Sequence, residues 1–145
     1  MPYIRSLLMA LSAVIFSIGT QAADIATPEA ARDFANDVIL DIGQSRLNDA
    51  WLKMKANTSI PPGRIDAFAT SYGTAVQQTL KYYGPSIGME LVSAEISGES
   101  VLRLTYLIKY EVTGVSWFMT FYKGRDKWVL TDFNYDINMN SIFQE

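Results

Sequence analysis

The chain has 145 residues, 49% of them hydrophobic and 19% charged, with a formal net charge of −3 and neither cysteine nor histidine. That length and composition suit one ordinary globular domain that needs no disulfides to hold its core. The missing residue types exclude Ser-His-Asp and Cys-His catalysis, imidazole bases, disulfide exchange and c-type haem attachment. Zinc, copper or iron would be left with carboxylate ligands that suit them badly, so neither a metal nor another cofactor is expected.

Residues 1–22 read as an export signal. Arg5 supplies a positive n-region, Ser6 to Ile18 is almost wholly apolar, and Gly19 to Ala23 is a small-residue stretch of the kind signal peptidase accepts, which predicts a cut after Ala22 or Ala23. As a helix the apolar run reaches only about 20 Å, short of a hydrocarbon core of about 30 Å, and this favours a cleaved signal over an uncleaved anchor. No cysteine follows the run to carry a lipid. The expected product is a periplasmic protein without stable membrane insertion, residues 23–145 forming a single domain. That domain stays acidic and has no Lys/Arg run, so nucleic acid and anionic lipid are poor partners for it.

Three helices come next. Thr27 is placed to cap a helix that has Pro28 in its first turn, and Ala31, Phe34, Ala35, Val38 and Ile42 recur on one face until Gly43. Leu47, Ala50, Trp51 and Met54 repeat the pattern over a shorter helix. After Pro61-Pro62-Gly63, the longest stripe runs through Ile65, Phe68, Ala69, Tyr72, Val76, Thr79, Leu80 and Tyr83, and Gly84-Pro85 ends it.

From Met89 the period changes to two. Val101 to Val112 alternates most clearly: Leu102, Leu104, Tyr106, Ile108, Tyr110 and Val112 face one way. A two-residue turn at Thr113-Gly114 would pair Val112 with Val115, Tyr110 with Trp117, Ile108 with Met119 and Tyr106 with Phe121. A hairpin at Gly98 to Ser100 would set Ile96, Ala94 and Val92 opposite Leu102, Leu104 and Tyr106, with Glu95 facing Arg103 across the outer face. The last strand, Trp128 to Tyr135, admits two registers. One turns Leu130, Asp132 and Asn134 inward; the other, favoured, turns Val129, Thr131, Phe133 and Tyr135 inward. Ile137 to Phe143 is read as a short terminal helix. The fold class is therefore α+β, three N-terminal helices packed on a curved four-stranded antiparallel meander.

The stretches Leu102 to Tyr110, Trp117 to Tyr122 and Lys127 to Phe133, with Gly124 four residues before Trp128, resemble small exported members of the nuclear transport factor 2-like superfamily. The resemblance covers nearly all of Asp24 to Phe143 and is one of shape. It implies a cone-shaped domain with a pocket between the concave sheet face and the helices, and a homodimer formed through the outer sheet face. A cystatin- or profilin-like arrangement is the alternative.

Several residues are candidates for function. Trp51, Tyr72, Tyr106, Tyr110 and Trp117 are expected on the concave face, where they line a site for a small apolar or aromatic ligand or simply fill the core. Asp132, in the first register, would sit in an apolar cleft beside Tyr106 and Tyr110 as the general base of an isomerase or dehydratase. Asp132, Asn134 and Asp136 are spaced like the start of a calcium loop, but Ile137 and Phe143 stand where that loop needs glycine and glutamate. Leu91, Leu107, Phe118 and Tyr122 form an apolar outer patch suited to a homodimer or another protein partner. Asn57-Thr58-Ser59 matches a glycosylation acceptor, a pattern common by chance. Together these point to an exported binding or interaction module; the enzyme just described and a component of an envelope or secretion assembly are the alternatives.

Overall fold

A computed structural model describes residues 22–143; the expected export signal lies outside them except for Ala22. The helices α1 (Pro28–Gly43), α2 (Leu47–Ala56) and α3 (Pro62–Tyr83) precede the strands β1 (Gly88–Ser97), β2 (Val101–Lys109), β3 (Gly114–Lys123) and β4 (Trp128–Asp136). The strands form one antiparallel sheet in the order β1-β2-β3-β4, a meander that does not close into a barrel. The α+β class expected from the residue periods is the one found.

The helix boundaries follow from local chemistry. Thr27 has an extended backbone and its hydroxyl accepts from the Ala30 amide at 3.1 Å, satisfying a donor that the first turn leaves free. The expected stripe of α1 is buried to the last residue, and Ile39 and Asp41 are buried beside it. Helix α2 buries Ala50, Trp51 and Met54. Helix α3 buries Ile65, Tyr72 and Val76 and rests Phe68, Ala69, Leu80 and Tyr83 against the core. It stops at Gly84, whose φ of 75° is open to glycine at little cost. Within α3, a Cβ built on Gly73 would meet nothing within 4 Å. Gly73→Ala is therefore expected to stabilise the protein by about 0.5–1 kcal/mol, read as a rise of a few degrees in the thermal midpoint.

The faces of β2 and β3 match expectation, bulges in β1 and β4 exchange faces along part of each strand, and the registers depart from expectation in three places. Between β1 and β2 the pairs Ile96–Leu102, Glu95–Arg103 and Ala94–Leu104 hold, but a bulge between Leu91 and Ser93 then sets Leu91, not Val92, opposite Tyr106. An unbroken ladder would have turned Glu90 inward against Ile108. The bulge sends Glu90 outward, where its carboxylate lies 3.3 Å from the Lys109 ammonium, and brings Met89 and Leu91 onto the core.

Between β2 and β3 the ladder pairs Ile108 with Val115, Tyr106 with Trp117, Leu104 with Met119 and Leu102 with Phe121. The expected pairs are thus displaced, without exchange of faces because the slip is even. A two-residue hairpin at Thr113-Gly114 would need positive φ, which β-branched threonine resists. Instead β2 ends at Lys109, the Tyr110 amide donates to the Thr113 carbonyl at 2.9 Å, and Val112 is left 73% exposed in the loop.

Strand β4 combines the two expected registers. Leu130 faces Phe121; a bulge at Thr131 follows, after which Phe133 faces Met119 and Tyr135 faces Trp117. Trp128 and Leu130 are buried, and Phe133 and Tyr135 pack on the core. Asp132 and Asn134 stay exposed on the other face, opposite Thr120 and Phe118. The free side of β4 is also paired. The Trp128 amide donates to Ile25 O at 2.8 Å, the Leu130 amide to Asn57 O at 3.1 Å, and the Ser59 amide to Leu130 O at 3.1 Å. The expected terminal helix is a 3₁₀ turn, Met139–Phe143, lying against β3. There a Cβ on Gly114 would come within 2.6 Å of Leu107 and 3.3 Å of the Met139 sulfur, so glycine is what lets the turn sit down.

Candidate functional site

The five aromatic residues expected to face inward are all buried, at 7% exposure or less: Trp51 on α2, Tyr72 on α3, Tyr106 and Trp117 on the sheet, and Tyr110 just past the end of β2. Trp51, Tyr72 and Trp117 are packed ring on ring, and Tyr110 lies against Tyr83. Trp117 has Tyr72 at 5.2 Å and Trp51 at 6.4 Å between centroids, Phe68 stands edge-on to it at 6.0 Å, and Tyr135 reaches it at 5.6 Å. Phe68 in turn meets Phe133 at 4.6 Å. Residues from α3 and β4 fill the space that a pocket beneath Trp117 would require, so this part of the concave face is core. Tyr106 anchors its hydroxyl to the helix layer, donating to Asn36 Oδ1 at 2.7 Å, with the Arg32 carbonyl at 3.3 Å. Burial pushes the Tyr72, Tyr106 and Tyr110 hydroxyls above the usual tyrosine range. For Tyr72 the neighbouring Tyr110 and Tyr135 add to the rise. These phenols therefore stay neutral at any physiological pH.

An opening remains at one end of the aromatic layer, where the close of α1, the start of α2, the last turns of α3 and the Gly84–Ser86 loop meet. This cleft has a volume of about 330 Å³, with Ile42, Leu47, Leu80, Tyr72 and Tyr110 on its walls. Gln77, Lys81, Ser45 and Ser86 supply polar groups around it. A second hollow of about 510 Å³, lined by Ile39, Leu40, Ile87 and Met89, shares Gly43, Ser45, Pro85 and Ser86 with the first. Two helix stops make these hollows. Gly43 and Gly84 each end a helix at the same end of the sheet, and neither following loop covers the core beside it. Of the expected ligand residues, Tyr72 and Tyr110 reach the cleft, while Tyr106 and Trp117 do not. Trp51 instead borders a shallow groove between α2 and α3.

Asp132 does not reach either hollow. The bulge at Thr131 turns it to the outer sheet face, exposed to solvent, which removes the enclosed site that a general base beside Tyr106 and Tyr110 requires. Among the described residues, no group of three or more acidic side chains is placed to hold a metal ion, Asp132 and Asp136 included.

The outer apolar patch is smaller than expected. Leu91 leaves it for the concave side because of the bulge at Val92. Leu107 and Phe118 are half-buried, and Met139 comes down beside Leu107 over Gly114. Tyr122 remains 50% exposed.

One cluster escapes the reading of the sequence. Asp41, in the last turn of α1, has a side chain only 3% exposed. It accepts from Arg46 Nε at 2.9 Å and from Lys53 Nζ at 2.6 Å, with a further Arg46 nitrogen on the same oxygen. Burial alone would raise its pKa, but the hydrogen bonds and charges of Lys53 and Arg46 outweigh it and hold the carboxyl below its ordinary value. The only hint in the sequence is an acid set between Leu40 and Ile42 within an apolar stripe. The cluster fixes the α1–α2 turn, in which Ser45 takes a φ of 60° and the Arg46 amide donates to Asp41 O at 2.8 Å.

Among the described residues, no helix is long and apolar enough to cross a membrane. Comparison of the chain with protein-family models, curated proteins and solved structures returns no match.

Proposed function

We propose that the protein is a non-catalytic binding module of nuclear transport factor 2-like architecture, exported and cut after Ala22 or Ala23, that takes a small apolar or aromatic molecule. Its site is the cleft bordered by Tyr72, Tyr110, Leu47 and Leu80. The observation that carries the proposal is the combination of a closed aromatic core with an apolar-walled cleft at its end, where two of the buried tyrosines reach the opening. A few polar groups beside apolar walls are what orient a small ligand in such sites. The export step rests on the composition of residues 1–22 and is read by mass: protein recovered from the periplasm should begin at Ala23 or Asp24.

Anilinonaphthalene sulfonate, an apolar fluorescent anion, tests the cleft. The native protein is expected to bind it saturably at one site. Leu80→Trp, which fills the cleft from α3, is expected to weaken binding at least tenfold, about 1.4 kcal/mol. Asp126→Trp, in the β3–β4 loop, should leave binding unchanged. Equal binding by the native protein and Leu80→Trp, with both folded, would remove the cleft as the site.

A further inference from the structure

The two edges of the sheet are treated differently. Strand β4 is paired on its free side by Ile25 and by Asn57 to Ser59, whereas among the described residues nothing pairs along the free side of β1. The exposed half of β1 is bare on its faces as well. Ala94, Glu95, Ile96 and Ser97 are all exposed, Ile96 at 57%, although Ala94 and Ile96 stand opposite the buried Leu104 and Leu102 on the concave face. Soluble proteins usually blunt such an edge with lysine, proline or a covering segment. Gly88–Ser97 contains neither lysine nor proline, and its one bulge, at Val92, leaves Ser93 to Ser97 in regular register with β2.

We infer that this edge pairs with β1 of a second copy, antiparallel about a two-fold axis at Ala94, joining two four-stranded sheets into one of eight strands. Directly opposed residues of an antiparallel pair share a face, so a two-fold axis between identical strands passes through a residue and sets it against itself. Centring on Glu95 opposes two carboxylates, a destabilising pair. Centring on Ile96 meets the turn at Gly98 after a single residue. Centring on Ala94 sets Ser93 opposite Glu95 on the outer face, where the serine hydroxyl already bonds that carboxylate within one chain at 3.2 Å. It also places Ala94 and Ile96 of both copies in one apolar strip on the concave side, next to Val92, which the bulge leaves 39% exposed. The chain is self-complementary in that register, and no like charges stand directly opposite; the two Glu95 carboxylates are only diagonal neighbours, each also facing Arg103 of its own β2. The dimer implied by the superfamily resemblance thus changes place, from the outer face to the β1 edge.

The absence of cysteine makes a direct test possible. Sedimentation equilibrium over a micromolar concentration series should return a dimer mass for the native protein and a monomer mass for Ala94→Lys, the two sharing one circular dichroism spectrum. Under mild oxidation Ala94→Cys should form a disulfide-linked dimer, since opposed Cβ atoms lie near the separation a disulfide needs. Ser97→Cys, about 20 Å from its mate in this register, should not. A monomer mass for the native protein overturns the inference. So does a dimer in which Tyr122→Cys crosslinks and Ala94→Cys does not, an outcome that would return the contact to the outer face.

Discussion

Trp117→Ala is expected to bring the protein to the margin of folding. Trp117 is 1% exposed and lies at the centre of rings contributed by α2, α3 and β4. Truncating such a residue removes its own buried surface and leaves a void that surrounding aromatics, held edge to face, cannot close. The cost of an aromatic-to-alanine change in a core is about 3–5 kcal/mol, against a total stability of about 5–15 kcal/mol for a domain of ordinary size. Urea denaturation should show the midpoint falling steeply, with a slope near that of the native protein if the residual fold is intact. Trp117→Phe is expected to lose much less. It keeps most of the ring volume and discards an indole N–H that has no hydrogen-bond partner among the described residues. A Trp117→Ala midpoint no lower than that of Trp117→Phe would show that the cluster is not the centre of the core.

Asp41→Asn comes second in size and carries a pH signature. The native carboxylate holds Arg46 and Lys53 together at the end of α1, where the helix dipole alone would disfavour an anion. The amide keeps the shape but turns donors toward two cations. Because those cations are themselves 47% and 37% exposed and can rehydrate, the expected loss is about 1–3 kcal/mol, below the range for a wholly buried pair. The folded-state pKa of Asp41 lies below the ordinary 3.8. Its contribution is therefore fully present above that ordinary value and disappears as pH falls through the lower folded value. Urea midpoints measured from neutral pH downward should fall more steeply for the native protein than for Asp41→Asn over that acidic window. Parallel curves would show that the carboxylate contributes no net stability.

The parts of the fold that were legible in the sequence are those decided locally. Thr27-Pro28 starts a helix and Gly84 stops one because capping and φ preferences act within one turn, whereas α1 runs through Gly43 and its left-handed residue is Ser45. The faces of β2 and β3 were legible because alternation is a property of an unbroken strand alone. Register was not, since it depends on which residues a bulge can discard. Both bulges do the same physical work: the one at Val92 keeps Glu90 out of the core, and the one at Thr131 keeps Asp132 out. An acid at an inward position of an otherwise apolar alternation is thus a sign of a bulge rather than of a buried base. Inward burial of the aromatic residues follows from their spacing, but whether space remains beneath them depends on Phe68, Phe133 and Tyr135 arriving from other elements. The cleft was not legible, because it is a gap between helix ends whose separation no local pattern sets. The Asp41 cluster has no local signature because its cations come from the next turn and the next helix.

The pairing of Ile25 and of Asn57 to Ser59 along β4 has a kinetic consequence. The hairpins of the meander join residues near one another in sequence and can zip early, whereas the bond from Trp128 to Ile25 closes a loop of about a hundred residues, whose entropy must be paid before the contact returns anything. The last strand should therefore spend part of the folding process as an unguarded template, open to the β4 or β1 of another chain. Aggregation during refolding should rise with protein concentration and should rise further when Ile25 is replaced by proline, whose fixed backbone disturbs the more distant of the two latches over that edge.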